Sequence, residues 1–362
     1  MKEYLKNRKI KILGLYIVSR IVFGSIIILI GSSLTEVCKI WDNEHYIAIA
    51  QNGYTKEYQT AFFPVIPLII HFCTEKGLWI INQIAFLASM FLLDELTKRE
   101  DLYIVESFAF SPIGFFSMML YTESLLVFFT LLTYYLFVKR KFGYGLGISI
   151  GLGVATKNTA AMLFFAVFIG MCCLWYKKEV RILDIIKTYV PATIISCLYP
   201  AYLQITFNNW KIFMDCQYEY WSRIHINIFE ELIIQWKVIF SNNQDVMHIF
   251  QINEIITILI FGFILYGLYY CCRLIKERKC NIENILIIIL YMFFSILAIN
   301  STIRIPYTNA PTTSFYRYYY GLFPIYIFFA FLKGKKRQGI LYCSVCISFF
   351  TAALFSMNFY FY

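Results

Sequence analysis

Long apolar runs, closed off by small clusters of Lys and Arg, constrain what this chain can fold into. The first covers residues 12–34; later ones cover 78–93, 102–120, 125–138, 159–176, 183–203, 249–272, 284–300, 318–332 and 340–358. A helix needs about 20 apolar residues to cross a hydrocarbon core about 30 Å thick. In that medium a helix satisfies all its own backbone groups. The 362 residues are 60% hydrophobic and only 15% charged, which excludes a soluble domain. The fold class that follows is an all-α polytopic membrane protein.

A formal net charge of +10 raises the possibility of nucleic acid as a partner. Roughly two-thirds of the Lys and Arg, however, sit in the clusters between apolar runs, as the positive-inside rule requires, so the charge is read as topology and no nucleic acid is expected. These anchors are Lys2 to Lys11, Lys98 with Arg99, Lys139 to Lys141, Lys177 to Arg181, Arg273 to Lys279 and Lys333 to Arg337. The basic N-terminus precedes an apolar run with no convincing cleavage site, so it reads as a retained first span. Cysteines such as Cys172, Cys173, Cys271 and Cys346 lie inside apolar runs and behave as small hydrophobes.

The anchors also fix the parity of the spans. Residues 61–74 reach only about 20 Å as a helix, so they dip and return rather than cross, and 145–156 is similarly short, ending at Lys157. The count is then about eleven spans. One integral membrane domain covers 1–362.

Between the first run and the short one lies a polar, aromatic island, WDNEHYIAIAQNGYTKEYQTAFFPVIP, from Trp41 to Pro67. Asp42 stands where a helix can start and Gly53 where it stops, with Tyr46, Ile47, Ile49 and Ala50 recurring on one face. This is a juxtamembrane helix, and parity puts it on the outer side. Asp42 is then either its N-cap, a carboxylate held at the membrane rim for chemistry, or both.

Ionisable residues at membrane depth are costly, so they mark sites or need partners. Asp42, Glu44, His45, Glu123, Lys157, Arg304 and Arg317 all project to the outer side in this topology. Structural readings compete with functional ones for several: Lys157 as a snorkelling residue, Arg317 as an interfacial anchor in SFYRYYYGLFP, Arg304 as a solvated loop charge, Glu123 as a turn cap and His45 as a rim aromatic. Arg20 lies in the middle of the first run and is expected to pair with an acid inside the bundle. A transporter or lipid flippase is the alternative class, although no internal repeat is visible.

The opening motif, FSPIGFFSMMLYTESL from Phe110 to Leu125, and GLGVATKN ending at Asn158 resemble, in order and spacing, the PIG-V family of GPI mannosyltransferases in the GT-C superfamily. The resemblance is strongest over about residues 12–175, within a family-like module at 12–203; residues 204–362 add C-terminal spans and outer loops. It implies a GT-C-type bundle that moves a hexose, mannose by family, from a polyprenyl- or dolichyl-phosphate donor on the non-cytoplasmic face. The implied acceptor is a glycolipid or envelope glycan. It also implies that Asp42 is the catalytic base. Thr156, Lys157, Asn158 and Thr159 stand where members carry an Arg-Ser-Asn-Gly run, and the Ile/Lys/Asn-rich usage looks bacterial, which suggests a plasma membrane; a eukaryotic origin would imply the endoplasmic reticulum. Attack on an anomeric carbon needs a base and a neutralised leaving phosphate. Lys157, Arg317 and Arg304 are the candidates for the phosphate. Trp41, Glu44, His45, Tyr121, Glu123 and Asn158 are the candidates for other substrate contacts. Membrane lipid is the remaining partner; no cofactor and no metal are expected, and a single displacement inverts the anomeric centre.

Overall fold

A computed structural model describes residues 2–97, 102–221, 223–224, 228–241, 248–277, 281–299, 302–303, 315–330, 332 and 334–357. The chain is helical almost throughout. The N-terminal part comprises α1 (Lys2–Leu29), α2 (Leu34–Val37), α3 (Asp42–Asn52), α4 (Val65–Leu96), α5 (Tyr103–Ala109), α6 (Pro112–Phe116), α7 (Glu123–Val138), α8 (Tyr144–Thr156) and α9 (Ala161–Tyr176). The rest comprises α10 (Ile182–Phe207), α11 (Ile212–Glu219), α12 (Ile228–Ile239), α13 (His248–Lys276), α14 (Ile282–Ile299), α15 (Phe315–Tyr320), α16 (Pro324–Phe329) and α17 (Lys335–Ser356). Among the described residues the exception is a short antiparallel pairing, Arg223 with Ile303 and Ile224 with Thr302.

Six stretches among the described residues are long and apolar enough to cross a membrane: Lys6–Leu29, Val65–Leu96, Asn158–Tyr176, Ile182–Phe207, Gln251–Lys276 and Arg337–Ser356. Shorter apolar helices lie at Glu123–Val138, Tyr144–Thr156 and Ile282–Leu297. Two expected spans are not single helices. The 102–120 run divides into α5 and α6 because Pro112 lacks an N–H and pushes Ser111 to an extended backbone (φ −86°, ψ 169°). The 318–332 run divides into α15 and α16 around Gly321, with Pro324 opening the second piece.

The first helix also ends earlier than its apolar run. Gly31 takes φ +88°, and Ser33 then caps α2, with its hydroxyl bonded to the Glu36 amide and the Glu36 carboxylate reaching back to the Ser33 amide. Residues 61–74 are set apart from the helix that follows: α4 breaks at Thr74, which adopts φ 67°, a strained conformation for a β-branched residue. The segment before the break runs along α3, where the His71 ring nitrogen Nδ1 lies 2.8 Å from the Ala50 carbonyl oxygen.

Ion pairs identify which helix ends share a face. Arg8 of α1 grips Asp94 near the end of α4 through Nε at 2.8 Å and Nη2 at 2.5 Å. Lys139 after α7 pairs with Glu95 at 3.1 Å, Arg140 with Glu179 after α9 at 3.3 Å, and Lys177 with Glu283 of α14. Glu123 opens α7 at its opposite end, and Lys157 lies just before α9 at its opposite end. These basic anchors therefore gather at one end of α7 and α9, and Glu123 and Lys157 at the other.

Close approach is clearest between α8 and α10. A Cβ at Gly147 would lie 2.0 Å from the Thr188 carbonyl oxygen, and one at Gly151 would lie 2.7 Å from the Ile195 Cβ. Small residues at this spacing let two helix backbones approach where lipid offers no hydrophobic drive for association.

Candidate active site

Four charged side chains from distant parts of the chain meet on the Asp42 face. Arg317 of α15 donates from Nη2 to Asp42 Oδ2 at 3.1 Å, and its Nε lies 3.4 Å from Glu123 Oε1, an ion pair without hydrogen-bond alignment. Lys157 donates from Nζ to the same Glu123 oxygen at 3.1 Å. Two carboxylates and two cations thus form a neutral set, which is how buried charges become tolerable.

Local structure favours each placement. Asp42 and Glu123 lie in the first turns of α3 and α7, where free backbone N–H groups and the helix dipole stabilise negative charge. Lys157 follows the last turn of α8, where positive charge is favoured, and its extended backbone (φ −161°, ψ 139°) turns the chain into a 3-10 turn at Asn158–Ala160. Asp42 is not the N-cap of α3. Trp41 occupies that position with φ 61° and ψ −128°, and makes no side-chain cap.

The set is graded in exposure. The side chains of Glu123 and Arg317 are 2% and 4% exposed, whereas those of Lys157 and Asp42 are 18% and 25% exposed. Asp42 and Lys157 are therefore the partly accessible members of the set, and Arg317 and Glu123 the buried ones. Aromatic rings line the cations: the Arg317 guanidinium lies 4.9 Å from the Tyr121 ring centre, 5.1 Å from Tyr318 and 5.6 Å from Phe116, and Lys157 Nζ lies 4.5 Å from Tyr318. Rings at this distance strengthen the cations' hold in a desolvated site.

The other candidates lie at various distances from this set. Tyr121 is buried, edge-on to Phe116 and Phe355, and forms a wall behind Arg317. His45 stacks on Phe62 at 4.7 Å and meets Tyr58 and Trp221 edge-on, which is the rim-aromatic arrangement. Burial pushes its pKa below the ordinary histidine value, partly opposed by Asp42 and Glu44. Glu44 and Asn158 are exposed, and Trp41 is half-buried. Arg304 lies outside the described residues.

Among the described residues Arg20 pairs with no acid. It donates to Ser117 Oγ at 2.6 Å, the Gly114 carbonyl at 2.7 Å and Gln83 Oε1 at 3.3 Å, and its guanidinium lies 4.6 Å from the Phe86 ring. Residues that the sequence reading passed over are Tyr318, Phe116 and the buried amides Asn43, Asn82 and Gln83. The signal for the last pair was present, since two adjacent amides in the apolar stretch INQIAF need internal partners.

Among the described residues, no three His, Cys, Asp or Glu side chains come together as a metal-binding group. No curated protein matches the chain. Residues 19–125 match the family model described as Mannosyltransferase (PIG-V). The matched stretch holds Asp42, Tyr121 and Glu123, and over it this helical membrane chain is similar to the PIG-V mannosyltransferases.

Proposed function

We propose that the chain is an inverting, GT-C-type mannosyltransferase that takes its sugar from a polyprenyl-phosphate donor on the non-cytoplasmic face and delivers it to a glycolipid or envelope glycan. The observation that carries this reading is the Arg317 bridge between Asp42 and Glu123, with Lys157 on the same Glu123 oxygen.

In this reading the donor phosphate approaches Arg317 and Lys157 from the open side and takes the place of the Asp42 carboxylate on Arg317. A guanidinium binds two phosphate oxygens through its planar fork, and such charge-assisted bonds are the stronger kind. Asp42, released from its cation, becomes a free carboxylate beside the anomeric carbon. The acceptor hydroxyl oxygen forms a bond to C1 while its proton passes to Asp42. The C1–O bond to phosphate breaks, and the departing oxygen keeps the electron pair, balanced by Arg317 and Lys157. Glu123 stays between the two cations and fixes their spacing. These cations fill the role of countercharge to the leaving phosphate, so the reading gives no step to a metal. Trp41, His45, Glu44 and Asn158 are the proposed contacts for sugar and acceptor.

The test is transfer of radiolabelled mannose from a polyprenyl-phosphate donor to a membrane lipid extract by the purified protein in detergent. A labelled, α-linked product from a β-linked donor is the expected result. Transport of the donor across liposomes without any transfer would overturn the reading.

A further inference from the structure

The stretch from Ser117 to Thr122, between α6 and α7, is non-helical and fully buried. Backbone of this kind inside a membrane bundle must find all its partners within the protein. The carbonyls of Phe115 and Phe116 accept from the amides of Met118 and Met119. Side chains from elsewhere serve most of the rest. Arg20 donates to the Gly114 carbonyl at 2.7 Å, Gln83 Nε2 to the Ser117 carbonyl at 2.7 Å, and the Cys38 thiol to the Met118 carbonyl at 3.2 Å. Asn82 Nδ2 then donates to two carbonyls, Met119 at 2.9 Å and Tyr121 at 3.2 Å.

These side chains hold each other in place. Gln83 Oε1 accepts from Arg20 at 3.3 Å and from the Tyr16 hydroxyl at 3.2 Å. At the start of the stretch, a Cβ at Gly114 would lie 2.1 Å from the Ala109 carbonyl oxygen, so the backbone cannot retreat there. At its far end, the carbonyl that Asn82 grips belongs to Tyr121, whose ring lies 4.9 Å from the Arg317 guanidinium. Glu123, the partner of both cations, follows two residues later.

We propose that Asn82 is a positioning residue for the site: its amide group, by holding the Met119 and Tyr121 carbonyls, sets the Tyr121 ring and the Glu123 carboxylate against Arg317. It touches no substrate and acts through this turn. The proposal rests on the reading that Arg317 holds the donor phosphate. One NH2 group uses both hydrogens here, and a leucine of similar size supplies neither, so the turn in Asn82→Leu must shift to find other partners.

The experiment measures the Kd of a polyprenyl monophosphate by calorimetry in detergent, and kcat at saturating donor, for the whole chain, Asn82→Leu and Arg317→Ala. Asn82→Leu is expected to raise Kd by about tenfold while kcat stays within about threefold. A purely structural asparagine would instead lower kcat through loss of active protein and leave Kd unchanged, and that result overturns the proposal. If Arg317→Ala raises Kd and Asn82→Leu does not, the proposal falls and the phosphate reading stands. If neither raises it, the phosphate reading falls and the positioning role with it. Should Asn82→Leu fail to fold, Asn82→Asp keeps the shape. Its ionised carboxyl has no hydrogen to donate, whereas its protonated form has one. Its Kd relative to the parent chain should therefore improve as the introduced carboxyl takes up its proton, followed from about pH 8 down to about pH 4, and a ratio that does not change over that range overturns the proposal.

Discussion

Arg317 and Asp42 stand 275 residues apart in the chain and meet at 3.1 Å, with the arginine buried and the aspartate partly accessible. The pair joins α3, near the start of the chain, to the short helix α15 in its last fifth. The proposed base is therefore engaged in this structure by the arginine proposed to hold the phosphate. In the proposed mechanism donor phosphate and Asp42 compete for one guanidinium, so donor binding is the event that would free the base.

Arg317→Lys should weaken donor binding by more than loss of charge would suggest. Lysine keeps the positive charge but replaces a planar fork by a point charge, and it cannot span Asp42 and Glu123 in the same way. A rise in donor Kd of about tenfold or more is expected, measured by titration with a polyprenyl monophosphate. Unchanged affinity would leave Arg317 as an interfacial anchor.

Gly147→Ala should destabilise the fold although it adds only one methyl group. The new Cβ would meet the Thr188 carbonyl oxygen at 2.0 Å, so α8 and α10 must move apart. A cost of about 1–3 kcal/mol is expected from overpacking. Gly145→Ala is the control, because nothing lies within 4 Å of its Cβ position. Thermal unfolding in detergent should show a lower midpoint for Gly147→Ala alone.

His45 gives the protein a pH dependence of known sign. Burial among Phe62, Tyr58 and Trp221 lowers its pKa below the ordinary value of 6.5, so the folded state prefers the neutral ring. The unfolded chain takes up the proton first as pH falls. This contribution to stability is present above the ordinary histidine pKa and declines as pH drops towards the lowered one. Relative to His45→Phe, the parent chain should lose thermal stability between about pH 8 and pH 5.5. A constant difference between the two midpoints would show that the ring does not titrate in this range.

Charge in an apolar sequence is easy to read, which is why Asp42, Glu123, Lys157 and Arg317 stood out before their contacts were visible. Their pairing could not be read, because it depends on where α15 returns to the bundle. Arg20 was equally visible, yet its partners are a serine, a glutamine and a backbone carbonyl, which carry no charge to search for. Hydropathy alone made single spans of 102–120 and 318–332, since Pro112 and Pro324 hardly alter an apolar average although each removes a backbone donor. Asp42 fitted the rule for an N-cap, but the chain enters α3 through a left-handed Trp41, so the cap lies one residue earlier.

The last expectation bears on Asp42. Asp42 is not the N-cap of α3 but pairs with the buried Arg317, so Asp42→Asn, which keeps an oxygen for the guanidinium, should fold with a smaller loss than Asp42→Ala, which leaves Arg317 with Glu123 alone. The measurement that tests the account most directly is single-turnover mannosyl transfer by Asp42→Asn at saturating donor, beside its thermal unfolding. Folded protein whose transfer rate falls by about two to four orders of magnitude is the predicted result. Folded Asp42→Asn that transfers mannose at the parent rate would contradict it.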